Sequence, residues 1–202
     1  MTTKTIAVVG ITGNQGSSVA EKFVQEAGWS VRGISRDPSK DSAKAWTARG
    51  VDVVAADLDI PGSMEVAFRG ANVIFGTTDF VQHLLDPKMA AKSQEQGRPI
   101  NELATEREFE QAKSLIDAVA TNTSTLELFV LSTLSDTKGL SKGKIQYNLH
   151  FDCKWAAVEY LKEKYPELWK KTSLLQLGIF ASNWKIPYNT PRKQEDGTYK
   201  LS

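Results

Sequence analysis

The chain has 202 residues, 41% hydrophobic and 24% charged, a composition that excludes long disordered, collagen-like and coiled-coil chains. Lys plus Arg is 25 and Asp plus Glu is 24, so the net charge is +1, far from the basic excess of a nucleic-acid module. One cysteine, Cys153, excludes an internal disulfide or a thiolate-rich metal site and points to a reducing compartment. There is no apolar run of the ~18 residues that span a bilayer, and no basic-then-apolar leader. The sequence thus predicts a soluble cytoplasmic protein, with the nucleus as a second location and no membrane or direct nucleic-acid partner.

Short apolar runs alternate with amphipathic stretches, the pattern of a parallel α/β sheet. Residues 5–9 (TIAVV) are apolar on both faces, as in a central strand. After a glycine-rich turn, Val19, Phe23 and Val24 mark a helix over 17–27 that Gly28 closes. A second strand is expected at 30–35. Asp37-Pro38 then reads as an N-cap followed by proline at the first helical position, opening a helix towards Arg49. A strand at 51–55, a short helix at 61–68 and a strand at 73–75 follow. Residues 82–101 are polar, with Asp86-Pro87 and Gly97-Arg98-Pro99 as turn signals. A long helix over 102–121, a strand at 126–131, a helix over 150–164 and a strand at 173–177 complete two βαβαβ halves. The expected architecture is a doubly wound parallel Rossmann sheet.

The clearest chemical signal is Gly10-Ile11-Thr12-Gly13-Asn14-Gln15-Gly16, between the first strand and the first helix. Glycine permits the tight turn, lets backbone N–H groups approach a pyrophosphate and lets helix and strand pack closely. The helix beyond it adds free N–H groups and the positive end of its dipole. Arg36 lies 20 residues past Gly16, where NAD binders place an acidic residue and NADP binders an arginine. A guanidinium can make two charge-assisted bonds to a 2′-phosphate, with Lys40 as a second cation, so NADP is the expected cofactor. Asp37 would oppose a phosphate unless its carboxylate is spent on helix capping. Asp57-Leu58, after the third strand, could meet an adenine amino group and ring, or form an ordinary turn. Thr77, Thr78 and Phe80, after the fourth strand, would pass the ribose and nicotinamide side.

These residues resemble the NmrA-like proteins, atypical members of the short-chain dehydrogenase superfamily. The resemblance rests on the glycine loop, on Ser35-Arg36-Asp37-Pro38, on Asp57-Leu58-Asp59 and on His150-Phe151-Asp152-Cys153-Lys154. It also includes the run from Leu177 to Trp184 (LGIFASNW), and the wording from Leu131 to Asp136 (LSTLSD) is most similar to the fungal branch. The resemblance implies a Rossmann core and NADP preference. For several members it implies a cofactor-sensing regulator that binds a protein partner instead of turning over substrate.

Short-chain dehydrogenases place Tyr and Lys four residues apart on one helical face, about 6 Å along the axis, so that lysine holds the ribose and lowers the tyrosine pKa. Here Lys154 has His150 at that spacing, and Tyr147 is about 10.5 Å away along such a helix. The tyrosine mechanism is not expected. His150 could itself serve as acid or base, or be only a polar residue at a helix start. Lys154 could contact cofactor or be a solvated helix lysine. Ser132 stands where the superfamily's third catalytic residue would be, and Ile179, Phe180 and Asn183 where relatives run past the nicotinamide. The Lys138 to Lys144 loop reads as a solvated basic segment.

Relatives continue into a smaller lobe, so residues 1–184 are expected to form the NAD(P)-binding domain and 185–202 the start of a truncated C-terminal lobe. Two functions compete: a cofactor or redox sensor related to transcriptional regulation with little dehydrogenase activity, and an NADPH-dependent oxidoreductase using His150 and Lys154.

Overall fold

The computed structural model describes residues 3–185 and 190–200. Six strands form one parallel sheet: β1 (Lys4–Val9), β2 (Trp29–Ser35), β3 (Asp52–Ala55), β4 (Val73–Gly76), β5 (Leu128–Thr133) and β6 (Thr172–Gln176), in the order β3-β2-β1-β4-β5-β6. Ile6 pairs with Val31 of β2 on one side and with Val73 of β4 on the other, so β1 is central, as its two apolar faces require. The chain winds one way from β1 and the other way from β4. The connections leaving the carboxyl ends of these two neighbours therefore diverge and open a crevice between them.

Alternation along β1 divides the core. Ile6 and Val8 join Ala20 of α1 (Asn14–Phe23) and Trp46 of α2 (Asp41–Thr47). Ala7 and Val9 join Phe68 of α3 (Ser63–Phe68), Leu115 and Ile116 of α6 (Ile100–Ala120) and Val158 and Leu161 of α8 (Leu149–Lys164). Two short helices, α4 (Phe80–Leu84) and α5 (Pro87–Gln96), precede α6, while α7 (Thr137–Leu140) and α9 (Pro166–Trp169) flank α8. A 3-10 segment at Ala181–Lys185 and a hairpin of β7 (Arg192–Lys193) with β8 (Tyr199–Lys200) follow β6. Among the described residues no helix is long and apolar enough to cross a membrane.

The doubly wound sheet expected from sequence is present, with several boundaries corrected. Helix α1 begins within the glycine loop and ends before residue 27, because the chain breaks into turns before Gly28. The helix expected from Asp37-Pro38 starts only at Asp41, since the Asp37 carboxylate closes a local turn on Ser39 instead. The stretch 82–101, expected as loop, holds most of α4 and all of α5. Asp86 caps α5 by accepting from Lys88 N–H, Pro87 takes the first helical position, and Gly97 ends it at φ +61°. The fifth strand runs two residues further than expected, to Thr133, and the sixth is shifted one residue back.

Candidate functional site

A cleft of about 820 Å³ opens at the carboxyl ends of the strands, within the range typical of small-molecule sites. Its first wall is the glycine loop. Ile11 is fully buried and anchors the loop, leaving Thr12, Gly13 and Asn14 exposed. Gly10 sits at φ +67°, a conformation that favours glycine. A Cβ on Gly16 would lie 2.7 Å from the Gly10 carbonyl carbon and 3.0 Å from the Val9 oxygen, so α1 meets β1 this closely only without a side chain. Gly13 caps α1 with no side-chain acceptor, and the first-turn N–H groups face the cleft uncapped. The Gln15 side chain accepts from Ser132 Oγ at 2.7 Å.

The next wall follows β2 and β3. Arg36 and Lys40 line the cleft and are exposed, and neither side-chain cation makes a hydrogen bond or ion pair to another described residue. Asp37 also lines it, but one carboxylate oxygen accepts from the Ser39 N–H at 2.9 Å and the Ser39 hydroxyl at 2.5 Å. Those two bonds hold its carboxyl below the usual range. Asp57 accepts from the Asp59 N–H at 3.0 Å, which makes it a turn aspartate as well as a cleft residue. Leu58 lines the cleft and packs on the core.

The far end joins the connection after β4 to the start of α8. Thr77, Thr78 and Phe80 line it together with His150 and Lys154, and Ile179, Phe180 and Asn183 form the rim, Ile179 being 72% exposed. Thus the fold gathers every expected binding residue, from Gly10 to Asn183, around one cleft. Phe80 stacks on His150 with ring centroids 4.7 Å apart and planes 12° from parallel. The His150 ring nitrogens bond to no described residue, and burial pushes the imidazole below its ordinary range. Glu108 opposes that effect, Lys154 adds to it and Asp79 weakly opposes it. Tyr147 lies outside α8, 83% exposed and at φ +60°.

Lys154 is not a solvated lysine. It is 8% exposed, and its ammonium donates to Glu108 Oε1 at 2.8 Å, Thr78 Oγ1 at 3.0 Å and Thr78 O at 3.2 Å. Glu108, absent from the sequence-based expectations, is fully buried and also accepts from the Thr78 hydroxyl at 2.7 Å and the Cys153 thiol at 3.0 Å. Burial alone would raise its carboxyl pKa. The Lys154 charge and these bonds outweigh burial and hold it below the usual range. The signal was present in sequence: Glu108 falls on the α6 face that buries Ala104, Gln111, Ala112, Leu115 and Ile116.

Gln111, on the same face, was also missed. Its Nε2 donates to Asp59 Oδ1 at 2.9 Å, so its Oε1 must accept from His83 Nε2–H at 3.0 Å. Arg107 pairs with Asp59 at 2.7 Å. The turn after β3 and helix α4 are thereby tied through Gln111 of α6, which itself lines the cleft.

Comparison with known proteins gives consistent results. The chain is 27% identical over 212 aligned residues to the NmrA-like family domain-containing oxidoreductase ptmS of Penicillium ochrochloron, covering 93% of this chain and 57% of that protein. It is 47% identical over 66 residues to the NmrA-like family domain-containing oxidoreductase FrzB of Cladobotryum sp, covering 33% of this chain and 20% of that one. The chain therefore spans little more than half the length of one of these curated relatives and a fifth of the other. Among solved structures, NmrA, a negative transcriptional regulator, in complex with NADP superposes with a TM-score of 0.69 at 23% identity, over 98% of this chain and 53% of that one. That likeness establishes the fold. A family model described as the NmrA-like family matches residues 2–202, and the chain belongs to that family.

Proposed function

We propose that this chain binds NADP(H) and acts as a cofactor-responsive regulator with little dehydrogenase turnover, residues 1–184 forming the binding unit. The observation that carries the reading is the combination of a glycine-built anion cradle with two cations one strand away that pair with no described residue, beside a lysine whose tyrosine partner is replaced by His150. The residues fit a dinucleotide with an extra phosphate. Uncapped N–H groups of Asn14 to Gly16 suit a pyrophosphate, and Arg36 and Lys40 suit a 2′-phosphate. Asp57 and Leu58 would take the adenine side, Thr77, Thr78 and Phe80 the ribose and nicotinamide side, and Ile179, Phe180 and Asn183 its rim. Lys154 would reach a ribose hydroxyl by exchanging one of its two bonds to Thr78. The regulator NmrA has been solved with NADP and also with NAD, which supports nicotinamide dinucleotides as the ligand class.

When bound, NADPH supplies a hydride. This chain's own residues would exclude water with Phe80 and hold a proton at a His150 ring nitrogen. A second reading, an oxidoreductase using His150 and Lys154, is favoured by the description of ptmS and FrzB as oxidoreductases. Calorimetric titration with NADPH, NADP and NAD, followed by assay of NADPH consumption, separates the two. Tight NADP(H) binding with no consumption supports the regulator. Steady consumption with a carbonyl substrate, abolished by Lys154→Ala, would overturn it in favour of the oxidoreductase. A redox-responsive protein partner belongs to the first reading and is tested by comparing pull-downs made with NADP and with NADPH.

A further inference from the structure

We propose that Glu108 is the positioning residue of the cleft floor: from beneath it, the carboxylate clamps the Lys154 ammonium against Thr78 and sets the net charge that His150 experiences. The inference rests on the reading of Lys154 and His150 as working residues of the cleft, but its geometry stands without any ligand.

Glu108 is 0% exposed, on the central turn of a 21-residue helix, where an apolar residue would be the ordinary choice. A carboxylate there costs several kcal/mol of desolvation unless it is paired and hydrogen-bonded. Three donors from two other elements converge on it: the Lys154 ammonium and Cys153 thiol from α8, and the Thr78 hydroxyl from the connection after β4. Thr78 Oγ1 accepts from Lys154 and donates to Glu108, closing a triangle in which each polar hydrogen has an acceptor. Lys154 has three ammonium hydrogens and a flexible stem; Glu108 and Thr78 together fix where it points.

The same carboxylate also acts on the His150 ring, one helical turn before Lys154, against the larger effect of burial. His150 stacks on Phe80 and is edge-on to Phe151, and the charged groups facing it are Glu108 from α6, Lys154 from α8 and Asp79, the N-cap of α4. Glu108 and Lys154 act on it with opposite sign. With both present the floor is close to neutral. Without Glu108, only the weaker effect of Asp79 would oppose the ammonium, and the imidazolium would be disfavoured.

The test is an NMR titration of the His150 ring in the full chain without ligand; the only other histidine is His83, so a His150→Gln variant assigns the signals. Glu108→Gln should move the His150 midpoint to lower pH, with about threefold or greater weakening of proton binding. Glu108→Asp, which keeps the charge, should hold it near the wild-type value. Glu108→Gln combined with Lys154→Met should return it there too, because both charges are then gone. An unchanged midpoint in Glu108→Gln, or no reversal in the double variant, would overturn the proposal and leave Glu108 a packing residue. Should Glu108→Gln alone unfold, recovery of cooperative unfolding on adding Lys154→Met supports the clamp, and failure to recover overturns it. Failure of the chain to bind NADPH would defeat the proposed function while leaving this titration readable.

Discussion

Ser132 Oγ, at the carboxyl end of β5, donates to Gln15 Oε1, in the first turn of α1, at 2.7 Å. The bond bridges the glycine loop and a strand two places along the sheet, across the point where the winding reverses. Ser132, which stands where the superfamily's third catalytic residue would be, is thereby tied to the loop. Ser132→Ala should cost about 1 kcal/mol of stability, the ordinary net worth of such a bond, because half-buried Gln15 can turn to water. NADPH affinity should weaken severalfold as the loop loses its tether. Unchanged affinity by calorimetry would confine the bond to a structural role.

Arg36→Ala should leave thermal unfolding nearly unchanged, since the side chain is exposed and bonds to no described residue. Affinity for NADP should fall about ten- to hundredfold, the worth of one or two charge-assisted bonds, with NAD almost unaffected. Equal losses for the two nucleotides would show that Arg36 does not read the 2′-phosphate.

Gly16→Ala tests the close approach of α1 to β1. Alanine is the better helix former by about 1 kcal/mol, but its Cβ has no room beside the Gly10 carbonyl, so strain outweighs propensity. Destabilisation of about 1–3 kcal/mol is expected by chemical denaturation, together with loss of nucleotide binding. A stabilised variant would show that the loop relaxes freely.

Lys154→Met should destabilise the fold by about 3–5 kcal/mol, because it strands the Glu108 carboxylate without a counter-charge. Adding Glu108→Gln should recover most of that loss. Urea unfolding of the two variants gives the comparison; equal stabilities would mean that the pair is not coupled.

Acid should weaken the fold through two carboxylates. Glu108 is held below its usual range by Lys154, Cys153 and Thr78 against the effect of burial. Asp117 is likewise held down, against burial, by the Tyr160 and Tyr165 hydroxyls and Lys164. A carboxylate depressed in the folded state stabilises it above its unfolded pKa, about 4 for Asp and Glu. That contribution disappears as the pH falls through the still lower folded value. Unfolding temperature should therefore be level above about pH 5 and fall below about pH 4, and replacing Asp117 by Asn should flatten the decline.

The sheet was legible because each strand is a short run bounded by turn residues, and the glycine loop because its backbone demands are written in residue type. Helices α4 and α5 were not, because the residues that start and stop helices also mark turns. Asp86-Pro87 opens α5 and Gly97 closes it, and α5 buries none of its residues, so no apolar stripe betrays it. Asp37-Pro38 misled in the opposite sense: a carboxylate can cap a helix or close a two-residue turn, and only the chain beyond decides which. Most of the expected binding residues could be placed along the cleft because they sit at strand ends, Lys154 of α8 being the exception. Glu108 and Gln111 sit mid-helix, where their partners come from α8, the connection after β4 and the turn after β3, contacts that local sequence does not contain.

Cys153 carries the last consequence. Its thiol is buried and pushed well above its ordinary range, by desolvation first and by the Glu108 carboxylate after it. A protonated, inaccessible sulfur is inert to alkylating reagents, which attack the thiolate. Since it is the sole cysteine, the chain carries an intrinsic reporter of its own breathing. The rate at which an alkylating reagent marks the native protein reads how often α6 and α8 part, and a nucleotide that fastens the cleft floor should slow that clock.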